Sequence, residues 1–173
     1  MEKVDELSID GVELIGFRLN RKSENPNVYI LITYGDEDIP LTSDGELIFL
    51  SSVDNVPFAF NMFSEKIKQQ AVQPTEVSLI LDIPLMLHLL ENKAQDKDAT
   101  IINCLNIIFD LLEYSQSKLP ENYKQILYAL ADHLTFDSDI EAFIKQKQLT
   151  RTEIVNGVLW CIGAILTKTR LLV

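Results

Sequence analysis

An α+β fold is predicted by three observations. The first fifty residues alternate with the two-residue period of half-buried strands and are divided by tight turn signals. Near Asp54 the period changes to that of helices, and it remains helical through most of the remaining chain. The strand and helix signals fall in separate runs, which argues for α+β. The expected architecture is an N-terminal antiparallel β-meander of roughly four to five strands with one helix, followed by a C-terminal cluster of about five helices. The chain is read as a single domain over residues 1–173. One sub-lobe, 1–75, is mainly sheet, and the other, 76–173, is mainly helical, with a seam near Gln73–Thr75.

Each element has a local reason. Val12–Leu19 places Ile15, Phe17 and Leu19 on one face, and Asn25-Pro26-Asn27 turns the chain. Val28–Tyr34 is rich in β-branched and aromatic residues and reads as a central strand. Ile39–Leu41 contains Pro40, which cannot donate to a ladder, so an edge or short strand is expected. Asp44-Gly45 is a two-residue hairpin signal before Glu46–Leu50. Phe60, Phe63, Ile67 and Ala71 then recur at helical spacing, with Asp54 as the expected N-cap and Pro57 in the first turn. Val77–Leu81 fits strand or helix. Strand is preferred because Asp82 and Ile83-Pro84 read as a cap and helix start.

Ile83–Asn92 forms a short helix. Next comes the most apolar segment, Ala99–Ser117, whose polar residues Asn103, Asn106, Asp110 and Glu113 share a stripe about 80° wide. A helix so apolar is expected to be the hub of the fold. Pro120 opens another helix, with Tyr123, Ile126, Leu127, Leu130 and Leu134 on its buried face. Ser138-x-x-Glu141 and Thr150-x-x-Glu153 both match the capping-box pattern and start the last two helices, the second running from Ile154 to Lys168.

Composition narrows the function classes. The net charge is −11, and both parts of the chain are acidic: six basic against thirteen acidic residues before residue 76, nine against thirteen after it. Nucleic-acid binding starts from a basic footprint, and none is present, so no nucleic-acid partner is expected. The charge suits a basic protein partner. The N-terminal segment is charged and lacks the apolar core of a signal peptide. The longest strongly apolar run, Ile154–Leu166, is too short for a membrane span. Cys104 and Cys161 lie in apolar helical runs and read as buried thiols. Together these features predict a cytoplasmic protein without a membrane span.

No phosphate-binding glycine loop, nucleophile elbow or zinc-protease helix occurs, and no metal or cofactor is expected. Two groups of residues are candidates for chemistry. The stripe of Asn103, Asn106 and Asp110 is either the solvated edge of the central helix or a buried polar seam able to line a ligand pocket. His133 lies one helical turn from Asp137, a spacing that can orient an imidazole or hold a metal, although helix-end residues give the same pattern. Gly157, Cys161 and Ala164 form a small-residue stripe beside Trp160 on the last helix. It serves either packing within the chain or, with the Leu171-Leu172-Val173 tail, a homodimer interface. The leading expectation is a non-enzymatic protein-interaction or regulatory module, working with a protein partner or as a homodimer. The alternative is a small-molecule-binding protein or hydrolase using the polar seam or the His/Asp pair.

Overall fold

The computed structural model describes residues 8–173; the charged stretch 1–7 lies outside the described residues. The chain is α+β. Strand β2 (Val28–Gly35) pairs antiparallel with β1 (Ile9–Arg18) on one side and β4 (Glu46–Leu50) on the other, and the short β3 (Thr42–Ser43) forms a hairpin with β4. The hairpin turn is Asp44-Gly45, both with positive φ (54° and 79°), as a two-residue turn of this hand requires. Pro40 lies outside the regular strands. It makes one isolated bridge to Ile32, because its missing N–H interrupts the ladder that Ile39–Leu41 was expected to form.

Two strands extend the meander into a mixed sheet. β5 (Leu79–Asp82), the segment ambiguous in sequence, is a strand, parallel to β1. β6 (Thr169–Leu172) is a strand the sequence did not reveal; it pairs parallel to β4. The apolar tail therefore docks on the sheet. Both outer strands come from beyond residue 75, so the sheet is built from both parts of the chain.

Helices cover both faces of this sheet. Asn55 precedes α1 (Val56–Phe60), and Ser64 caps α2 (Glu65–Gln70) by accepting from the Ile67 N–H. A single helix was expected here, capped by Asp54. Instead Ser52 caps a preceding 3₁₀ turn, Val53–Asn55, by accepting from the Asp54 N–H. The chain then breaks between Phe60 and Ser64, which lets Phe60 and Phe63 turn edge to face, 6.2 Å apart, over the sheet. These two helices bury Leu14, Leu31, Ile48 and Leu50 from one face of the sheet.

The other face, presenting Ile15, Phe17, Ile30, Leu47 and Phe49, lies under five helices. These are α3 (Ile83–Glu91), α4 (Thr100–Tyr114), α5 (Glu121–Phe136), α6 (Ile140–Lys147) and α7 (Arg151–Leu166). α4 packs against α3, α5, α7 and β5, and it buries Ile101, Cys104, Leu105, Ile108, Leu111 and Leu112. Its start is held from a distance. The buried carboxylate of Asp96 accepts from the N–H groups of Thr100 and Ile101, each at 2.7 Å, while Ala99 turns with φ 54°. That arrangement satisfies two of the orphan donors of a helix N-terminus. Asp82 caps α3 as expected, accepting from Leu85 N–H at 2.9 Å. The Thr150/Glu153 capping box is formed at α7. Ser138 is not the cap of α6; Asp139 is, with Ala142 N–H at 3.1 Å.

Candidate functional site

The polar stripe of α4 is where charge accumulates. Asn106 and Glu113 are exposed, and Asn103 and Asp110 are half-buried, so the stripe is the partly wetted edge of an otherwise buried helix. Across from it lies the turn after β2. Asp38 of that turn comes close enough to act on Asp110. Burial first, then the charges of Asp38 and Glu113, push the Asp110 carboxyl up to about 6 from its ordinary 3.8. Tyr114, one residue past Glu113, is pushed up by burial and then by Glu37, Glu113 and Asp110. Four acids from two elements thus share one surface. None of them is ion-paired among the described residues. The helical periodicity that singles out Asp110 and Glu113 does not reach Glu37 and Asp38, which lie in the turn after β2. Nothing local in the sequence links a β-turn to a helix more than sixty residues away.

The other predicted residues lie elsewhere. Asn103 lines a small crevice with Asp98, Thr100 and Cys104 against the outer strand β5. His133, on α5, borders a shallow depression with Asp132, Phe136 and Lys147. The depression that His133 borders contains no member of the stripe. The imidazole is engaged structurally. Its Nε2 is 2.8 Å from the Asp139 carbonyl, which can only accept, so Nε2 carries a proton. The ring lies against Phe143, with centroids 5.4 Å apart. The pairing of His133 with the Asp137 carboxylate that the spacing allows is not formed; Asp137 Oδ1 instead accepts from Asp139 N–H at 2.9 Å. His133 therefore helps shape the α5–α6 corner.

The small-residue stripe of α7 divides. Gly157 and Cys161 are buried within the chain. A Cβ on Gly157 would sit 3.3 Å from the Tyr123 ring and 3.4 Å from Leu127, so the absent side chain allows α5 to approach α7. Trp160 and Ala164 are partly exposed and border an open groove with Leu159 and Gly163. Both cysteines are free, and burial pushes each thiol up to about 12, which keeps them protonated and unreactive.

The structure also contains a feature without a sequence signature. At the end of the sheet, between its helical face and helices α4 and α7, lies a pocket of about 240 Å³. Phe17, Val28 and Phe49 line it from the sheet, Ile108 and Leu111 from α4, and Ile162 and Ile165 from α7. Phe17 and Phe49 meet at a 60° tilt with centroids 5.4 Å apart. Ile83 at the start of α3 also lines it, as do Leu19, Leu166 and Leu171, all about half exposed or more. The one hydroxyl-bearing residue in the lining, Thr169, spends its Oγ1 on the Ile165 carbonyl at 2.9 Å. The surface of the pocket is wholly hydrocarbon.

Among the described residues no group of three or more histidine, cysteine or carboxylate side chains is placed to hold a metal ion. Among the described residues no single helix is long and apolar enough to cross a membrane.

No family model matches the chain. No curated protein matches its sequence. Among solved structures, the crystal structure of the SatS C-terminal domain in complex with bromine resembles it with a TM-score of 0.61, covering 94% of each chain at 10% identity. At that identity the likeness shows a shared fold and carries no function.

Proposed function

We propose that the chain is a non-enzymatic protein-interaction or regulatory module that works in the cytoplasm and binds a basic protein partner. One observation carries this reading: Glu37 and Asp38 meet Asp110 and Glu113 on one surface, and among the described residues no cation is paired with any of them. Like charges held together are costly, and a partner's lysine or arginine residues relieve the cost as they bind. The net charge of −11 extends the same preference over the whole molecule and steers a basic partner toward it. Two free buried thiols suit a reducing compartment.

The test is capture from the native host, identification by mass spectrometry and reconstitution with the purified partner. A basic protein is expected, with affinity that falls as salt rises. Neutralising Asp38→Asn, Asp110→Asn and Glu113→Gln together should weaken it about tenfold or more. A partner indifferent to both salt and these substitutions would contradict the reading.

A second copy of the chain is the other candidate partner. It is favoured by the outer face of α7, where Leu159 and Leu166 are 48% and 65% exposed beside Trp160 and Ala164. Light scattering at high concentration separates the two, because only self-association changes the mass of the purified chain.

A further inference from the structure

We propose that the apolar pocket at the end of the sheet binds the hydrocarbon chain of an anionic amphiphile, in its simplest form a medium-chain fatty acid, with the carboxylate at the β1–β2 turn. The lining decides the class of the buried part. No polar surface faces the pocket, and the Thr169 hydroxyl donates to the Ile165 carbonyl. A sugar, nucleotide or amino acid would lose its hydration there without compensation. A hydrocarbon loses nothing. An apolar cavity of about 150 Å³ holds a benzene ring, so by proportion the 240 Å³ here accommodates a chain of about eight to ten carbons.

The mouth decides the head group. Leu19 is 53% exposed and leads directly into the turn. Arg21 and Lys22 follow it; at about 3.6 Å per residue their Cα atoms lie within roughly 7 and 11 Å of that of Leu19. Both are exposed, and neither is ion-paired among the described residues. Arg18, by contrast, is committed to Asp82 at 2.7 Å and to the Glu24 carbonyl. The turn is held in place: Leu19 N–H donates to Asn27 Oδ1 at 2.7 Å, and Lys22 N–H to Asn20 Oδ1 at 2.9 Å. Glu24 is the one acid among residues 19–27, so this stretch is net positive in a strongly acidic chain. A third cation, Lys168, is exposed and immediately precedes Thr169 of the lining. An apolar slot beside fixed positive charge is the complement of an acyl chain with an anionic end.

Decanoate, kept below its micelle concentration, is titrated into the full chain and followed by nuclear magnetic resonance and calorimetry. One saturable site is expected, with shifts concentrated at Phe49, Leu166 and Leu171. Arg21→Glu with Lys22→Glu should weaken decanoate about tenfold and leave uncharged decanol within twofold. Val28→Phe fills the pocket and should abolish both. If that variant fails to fold, the surface pair still decides the question. The same chemistry comes from a free acid or from a membrane lipid. Co-sedimentation with phosphatidylglycerol vesicles, competed away by decanoate, identifies the lipid, and decanoate binding without co-sedimentation identifies the free acid. Absence of a saturable site overturns the proposal. So does decanoate affinity unchanged in the charge-reversed pair, or saturation by an apolar peptide but not by decanoate.

Discussion

Asp110 is the residue whose surroundings oppose its charge most clearly. Its carboxyl is raised to about 6, so between its ordinary 3.8 and that value the folded chain holds more protons than the unfolded chain. Stability attributable to this group is therefore present at low pH and declines as pH rises through that window. Asp110→Asn should flatten the decline and stabilise the fold at neutral pH by about 1 kcal/mol after solvent screening. Urea unfolding at pH 4.5 and pH 7.5 checks both the sign and the size. Asp96 matters through its hydrogen bonds. Its two oxygens each accept a helix N–H in a buried setting, and Asp96→Ala leaves both donors unsatisfied. A loss of about 2–3 kcal/mol is expected in the same measurement. Asp110 could be singled out from sequence because helical periodicity put it in a stripe. Asp96 could not, because it caps the helix from four and five residues away, outside any standard capping spacing.

Helices with strong apolar periodicity and local caps were legible as elements. Asp82 announces α3 and Thr150 announces α7, and in both cases the cap is formed by residues within one turn. Thr150→Ala should lower stability by about 1 kcal/mol, read by thermal unfolding. β6 was illegible because nothing in Thr169–Leu172 makes it a strand by itself. It becomes one because β4 offers a free edge, and a parallel partner is by nature distant in sequence. Ending the chain after Lys168 removes this strand, the lid it gives Leu50 and the hydrogen bonds from Ser51 N–H and Asn55 Nδ2 to the Leu172 carbonyl. A loss of about 2–4 kcal/mol is expected, with aggregation through the uncovered β4 edge visible in light scattering. The break between α1 and α2 was hidden for a related reason. No glycine or proline marks it, and the demand that both phenylalanines reach the sheet overrides the local helical period.

The molecule as a whole places helices on both faces of a mixed sheet, with the larger core organised around α4. Its class was legible because strand and helix patterns are segregated along the chain. Its surfaces were not, because a patch is made by residues from separate elements. The acidic surface joins a β-turn to a helix, and the hydrocarbon pocket draws on β1, β2, β4, β6, α3, α4 and α7. The two also differ in chemistry, since one gathers carboxylates and the other presents only hydrocarbon. The claim that the acidic surface receives a basic partner is tested most directly by hydrogen-exchange footprinting of the complex with the captured protein. Added protection should fall on residues 36–38 and on the outer edge of α4 through Tyr114, and should fade with salt. Protection confined to other surfaces, or unchanged by salt, would contradict it.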